Sequence, residues 1–245
     1  GRDMAAHSEA RLEMLDRLAS LVRQRSAGGT LRVAIDGIDC AGKTTLADEL
    51  ARVLAGARLP VLRASIDGFH NPAQIRHRRR DQDLPRSYYE DSFDYSALRG
   101  LLLEPLRADG DHVMRTRVLD FRTDAAVDDP PTRVPRGTVL LFDGVFLLRP
   151  ELDGHWDLSV FVAIDPATSL QRAITRDVAL FGTAAAIVER YQKRYLPGQR
   201  LYLSTVRPQE RADVLIDNND AAVPIVLRAP SAREREICHT PLIGW

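Results

Sequence analysis

Two glycines, a lysine and a threonine decide most of what this chain can fold into. Gly37-Ile38-Asp39-Cys40-Ala41-Gly42-Lys43-Thr44 follows the pattern G-x-x-x-x-G-K-[ST]. Before it, Leu31-Arg32-Val33-Ala34-Ile35-Asp36 reads as a short buried strand. After it, residues 44–54 read as a helix with Leu46, Leu50, Val53 and Leu54 on one face. Strand, glycine turn and helix in that order build an anion cradle. Gly37 and Gly42 let the backbone turn with its N–H groups inward, and the helix N-terminus adds partial positive charge. Lys43 then reaches the β- and γ-phosphates of a nucleotide, and the Thr44 hydroxyl can ligate Mg²⁺. Asp39, Cys40, Ala41 and Thr45 belong to the same segment and are expected beside the nucleotide. The intact Gly-Lys-Thr end and both correct flanks argue against a glycine-rich turn that binds nothing.

Composition removes several classes of function. A chain of 245 residues suits one α/β domain with embellishments, or at most two small domains. Its formal net charge is zero, so no global field favours nucleic acid or an anionic membrane. No apolar run approaches the roughly 18 residues of a membrane span, and the N-terminal stretch lacks the apolar core of a signal peptide. Cys40 and Cys238 do not make a disulfide framework, and a cytoplasmic location is expected. The six histidines show no zinc spacing.

Strand and helix patterns alternate along the chain. Residues 7–25 read as a helix stopped by Ser26-Ala27-Gly28-Gly29, and residues 59–66 as a strand ending in Asp67-Gly68-Phe69-His70. Residues 71–92 are polar and carry the basic run Arg76-His77-Arg78-Arg79-Arg80. Acids follow at once, which favours a solvated helix or loop over an anion-binding or nucleic-acid-binding segment. A helix is expected over 95–107, an extended segment over 112–121 pairing near Val127, and strands over 138–142, 158–164 and 214–216. Asp165-Pro166 opens a helix through about Asp177, further helices are expected over 184–195 and 198–206, and residues 223–227 suit an edge strand. Alternation of this kind implies a parallel sheet covered on both faces, with the site at the strand C-termini. Asp67 and Asp143 end two of those strands, so both should converge on the phosphate loop, although each position also suits an ordinary turn aspartate.

Taken together, these motifs resemble the uridine kinase and phosphoribulokinase branch of P-loop kinases over about residues 31–220. The residues that carry the resemblance are Ile66-Asp67-Gly68-Phe69, Ser92-Phe93-Asp94, Val118-Leu119-Asp120-Phe121, Leu141-Phe142-Asp143-Gly144, Arg172 and Arg176 before Asp177, and Ala212-Asp213-Val214-Leu215-Ile216. Phe69-His70-Asn71-Pro72 and Arg194-Tyr195-Leu196-Pro197-Gly198-Gln199-Arg200 resemble a bacterial uridine kinase-like subgroup.

The resemblance implies an α/β P-loop NTPase fold. Three layers, α/β/α, surround a central, mostly parallel sheet of about five strands. One kinase domain would span 1–220, with a substrate-side insertion including a hairpin over about 71–135, a helical lid over about 172–195, and an edge segment and tail over 221–245. It also implies ATP as donor, Mg²⁺ as cofactor and a small-molecule hydroxyl as acceptor, with no nucleic-acid or membrane partner and a homo-oligomer possible. By the same resemblance Asp67 falls on the catalytic base, with Lys43, Arg172 and Arg176 around the transferring phosphate. Asp94 falls on the residue that holds ribose hydroxyls and Phe121 on an aromatic of the base pocket; Phe69, His70 and Asp124 are assigned to the substrate side. Thr44 and Asp143 are the expected metal residues.

Two departures stand out. Phe181-Gly182-Thr183 replaces an Arg-Gly-Arg-like lid segment, for which Arg190, Lys193 or Arg194 are the candidates to compensate, and Leu119 and Asp124 stand where the family places a tyrosine and a histidine. A nucleoside acceptor such as uridine or cytidine, phosphorylated at its 5′-hydroxyl, is the leading expectation. A sugar, sugar phosphate or vitamin-like alcohol is the alternative. A P-loop ATPase or switch acting on a macromolecule is the rival from another class, and Asp217-Asn218-Asn219-Asp220 is not the guanine signature a GTPase would carry.

Overall fold

A computed structural model describes residues 8–79 and 82–231. Arg80, Asp81, Cys238 and the tail after residue 231 lie outside the described residues. Among the described residues, β1 (Leu31–Asp36), β2 (Val61–Ser65), β7 (Val139–Gly144), β8 (Leu158–Ala163), β9 (Val214–Asp217) and β10 (Ile225–Arg228) form a six-stranded sheet in the order β10-β9-β8-β1-β7-β2. All neighbours are parallel except β10, which joins the edge antiparallel to β9 after Pro224. β1 lies between β7 and β8, so the phosphate loop leaves the sheet where its order reverses, the place where such sheets bind ligands.

The continuous apolar runs follow from burial on both faces. Val33, Ile35, Val139, Leu141 and Val160 point to one side, where they meet α1 (Glu9–Ser26) and α2 (Lys43–Gly56). Ala34, Ala64, Leu140 and Phe142 point to the other, under the substrate-side helices. α1 is capped by Ser8, whose Oγ accepts from Arg11 N–H at 3.1 Å, and Arg11 in turn makes a buried 2.7 Å ion pair with Glu49 of α2. No helix of the described residues is long and apolar enough to cross a membrane.

The insertion between β2 and β7 differs from expectation in detail. It holds α3 (Ala73–Arg76), α4 (Leu84–Asp91), α5 (Tyr95–Leu98) and two small antiparallel ladders, β3 (Val113–Met114) with β6 (Thr132–Arg133) and β4 (Leu119–Asp120) with β5 (Ala125–Ala126). The helix expected over 95–107 ends early. After Leu98 it widens into a π turn, Arg99–Leu103, and that register lets Leu98, Leu102, Leu103 and Leu106 all reach the core. The basic run is neutralised locally: Arg78 and Arg79 pair with the buried Asp91 at 2.5 and 2.8 Å. After β8 come α6 (Pro166–Phe181), α7 (Ala184–Arg190), a π turn Tyr191–Tyr195, α8 (Leu196–Thr205) and α9 (Pro208–Arg211).

Candidate active site

The phosphate loop is built by close approach. A Cβ on Gly37 would stand 2.6 Å from the Val162 carbonyl oxygen, and one on Gly42, whose φ is +93°, would stand 2.7 Å from the Asn218 side chain. Only glycine meets both demands. Lys43 opens α2 and donates from Nζ to the Ile38 carbonyl at 2.8 Å. Thr44 Oγ1 donates to Asp143 Oδ2 at 2.7 Å, and the other Asp143 oxygen accepts from Arg63 at 2.9 Å. The middle of β2, the end of β7 and the start of α2 thus meet at one carboxylate.

The lid side is tied to the same loop. Ser169 Oγ donates to the Asp39 carbonyl at 2.7 Å. Arg172 donates to the carbonyls of Cys40, Asn218 and Asn219 at 3.1, 2.7 and 2.9 Å. Arg172 therefore clamps the loop to the residues after β9 with three of its five N–H donors, while still bordering the cleft. Arg176 grips Asp177 at 2.7 and 2.9 Å, and it also reaches Asp39 at 3.4 Å and the Tyr191 hydroxyl at 3.0 Å. Tyr191 donates to the Asp39 carboxylate. Burial opposes ionisation of Asp39, but Lys43 and Arg176 hold its carboxyl below the usual range. Burial, with the adjacent Asp39, pushes the Cys40 thiol up to about 11, so it stays protonated at neutral pH. Arg190, Lys193 and Arg194 line the cleft where the lid arginines were missing from the sequence pattern.

Opposite the loop, a 3₁₀ turn over Ile66–Phe69 carries Asp67 at the end of β2. Its side chain stays open to the cleft, yet protein on most sides desolvates it. Burial raises its carboxyl pKa, with His70 opposing and Asp143 adding to the rise. His70 stacks on Phe121 at 4.6 Å and 19° and tilts against Phe93 at 4.7 Å. Asp67, His70, Phe121, Asp143, Arg172, Arg176 and the phosphate loop all border one cleft of about 1420 Å³.

Three expected substrate residues do not line it. Phe69 is fully buried with its ring 6.2 Å from that of Phe142, because a 3₁₀ turn has three residues per turn and so puts Phe69 on the same inward face as Ile66. Asp94 caps α5 by accepting from Ala97 N–H at 2.9 Å. Asp124, at φ +58°, accepts from Ala73 N–H at 2.8 Å and pairs with Arg76, serving the start of α3 where Pro72 has no side-chain oxygen. Leu119 is buried behind the cleft wall.

Sequence reasoning missed Asp36, Tyr191, Tyr202 and Asn218. Asp36 is fully buried directly before the loop. It accepts from Gly37 N–H at 2.9 Å, Leu147 N–H at 3.4 Å and the Tyr202 hydroxyl at 2.5 Å. Asn218 donates to the Ala41 carbonyl at 2.8 Å. Asp36 ends β1 and Asn218 directly follows β9, and the strand-end rule that singled out Asp67 and Asp143 applies equally to them.

A Thr44 hydroxyl 2.7 Å from an Asp143 oxygen is a hard-oxygen donor pair at a helix N-terminus. Among the described residues no group of three or more His, Cys, Asp or Glu side chains could hold a metal by itself. That fits Mg²⁺, which takes one or two protein oxygens and completes its shell with phosphates and water.

Fold and site define a P-loop kinase of small molecules. The model of the phosphoribulokinase / uridine kinase family matches residues 33–222, and the chain belongs to that family. It is 24% identical over 212 residues to uridine-cytidine kinase B of Dictyostelium discoideum, covering 83% of this chain and 82% of that protein. A solved structure described as a possible uridine kinase from Bacillus stearothermophilus superposes with a TM-score of 0.64 at 23% identity, over 83% of this chain and 97% of that one. A putative fructose transport system kinase from a Silicibacter species superposes with a TM-score of 0.65 at 25% identity, over 78% and 94%.

Proposed function

We propose that this kinase transfers the γ-phosphoryl group of ATP to a hydroxyl of a small metabolite with the help of Mg²⁺, and that the acceptor is a nucleoside such as uridine or cytidine, phosphorylated at its 5′-hydroxyl. One observation carries the reading: a single cleft joins the phosphate loop and the Thr44–Asp143 oxygen pair to the Asp67 carboxylate. Bound ATP would supply the phosphoryl group, and bound Mg²⁺ would neutralise charge on its oxygens. Lys43 adds positive charge beside the phosphates, and Arg176 is placed to join it by exchanging Asp39 for a phosphate oxygen. Arg172, Asn218 and Asp36 hold the loop in shape. Asp67 orients the acceptor hydroxyl and takes its proton, a task that a raised carboxyl pKa favours.

The nucleoside reading draws on the Dictyostelium relative. A second reading, a sugar-like acceptor, draws on a specific observation: Leu119 is buried and Asp124 is committed to α3, so neither reads the edge of a base. The test is a panel of uridine, cytidine, D-ribose, D-fructose and sugar phosphates with ATP and Mg²⁺. ADP release and the mass of the phosphorylated product are the readouts. The reading requires acceptor-dependent ADP release with one phosphoryl group gained by the acceptor. ADP release that no acceptor stimulates would instead indicate an uncoupled ATPase.

A further inference from the structure

His70 is fixed both through its backbone and through its ring. Its backbone forms an isolated antiparallel bridge with Phe93, and on either side Asp94 N–H donates to the Phe69 carbonyl and Asn71 N–H to the Ser92 carbonyl, each at 2.8 Å. Its ring is pinned between Phe121 and Phe93. Nδ1 lies 2.9 Å from the Asp67 carbonyl oxygen. A carbonyl oxygen has no proton to give, so Nδ1 must be the donor in that bond. Once Nδ1 carries the proton, Nε2 of the neutral ring has only a lone pair. Among the described residues Nε2 has no hydrogen-bond partner, and the residue borders the cleft three positions from Asp67.

We infer that His70 is a specificity-determining residue: its Nε2 accepts a hydrogen bond from the acceptor substrate, selecting molecules that carry a second hydroxyl or an N–H donor near the hydroxyl to be phosphorylated. The inference rests on the kinase reading above and deepens it. The class selected is polyols, ribosides and amide-bearing alcohols; a simple alcohol, or an acceptor presenting an ether or ketone oxygen at that place, meets a lone pair with a lone pair. Burial and the nearby Arg76 guanidinium disfavour the charged ring, whereas the Asp67 carbonyl and carboxylate favour it; burial dominates and the ring stays neutral near pH 7. Protonation would turn Nε2 into a donor and reverse the selection.

The first arm of the test needs no substrate. Long-range ¹⁵N–¹H correlation spectra of the full chain, with His70→Phe for assignment, should show His70 at pH 7.5 as the Nδ1–H tautomer with an unprotonated Nε2. An Nε2–H tautomer or an imidazolium at that pH would overturn the inference while leaving the kinase reading intact. The second arm compares wild type with His70→Phe, which keeps an aromatic ring between Phe93 and Phe121. The acceptors are uridine, D-ribose and their mono-O-methyl ethers. Wild type should prefer one parent over its ether by roughly 10-fold or more in kcat/KM, the scale of leaving an acceptor unpaired once bound substrate covers it. His70→Phe should erase that preference by raising KM for the parent, with KM for ATP unchanged. A preference that survives in His70→Phe would overturn the inference. Acceptor-independent ADP release in wild type would overturn it together with the kinase reading.

Discussion

Asp36 shows how a single residue can be costly and still be needed. It is fully buried, and burial lifts its carboxyl from an ordinary 3.8 to about 6 against the hydrogen bonds from Tyr202, Leu147 and Gly37 and the pull of Lys43. Those bonds fix the first residue of the phosphate loop to α8 and to the segment after β7. A carboxyl with a raised folded pKa binds extra protons when folded. Its contribution to stability is therefore full below pH 3.8 and is lost as pH rises through about 6. Asp36→Asn removes the titration and keeps an oxygen for the two N–H donors. The stability of wild type relative to Asp36→Asn should fall between pH 4 and pH 7 by on the order of a few kcal/mol. Urea titrations across that range measure it, and parallel curves for the two proteins would contradict the buried-carboxyl assignment. The same residue marks a limit of sequence reading. Its place at a strand end was visible, but that it faces Tyr202, 166 positions away, was not.

At the scale of elements, legibility followed periodicity. β7 opens on an unbroken apolar run, β1 and β8 are apolar runs interrupted once within the strand by Arg32 and Ser159, and α2 carries a helical stripe, so their type and order were readable from residues alone. The two-residue strands of the insertion are too short to set a period, so only the extended segment over 112–121 and its pairing near Val127 were readable, and the π turn at Arg99–Leu103 breaks the helical period and was not. Motif position gave residue type without side-chain direction, which is why Phe69, whose ring is fully buried, was placed on the substrate and the capping bond of Asp94 was not foreseen. α5 offers a direct check on Asp94. Asparagine caps helices about as well as aspartate, whereas alanine costs about 1 kcal/mol. Asp94→Ala should lose about that much stability, and Asp94→Asn should keep both stability and turnover. A loss of acceptor turnover in Asp94→Asn at unchanged stability would return Asp94 to the substrate.

On the proposed reading the whole molecule sets two chemistries along one cleft: a phosphate loop braced by β7, β9 and α6, and an acceptor wall formed by the turn after β2 and its insertion. If the division holds, the two walls separate by mutation. Asp67→Asn keeps the shape of the acceptor wall and removes its base without touching the loop. The direct measurement is ATP affinity and acceptor phosphorylation in the same samples of wild type and Asp67→Asn. Our account predicts unchanged ATP binding with phosphoryl transfer reduced by roughly 10²–10⁴-fold. Transfer at the wild-type rate, or a collapse of ATP binding with transfer from bound ATP preserved, would contradict it.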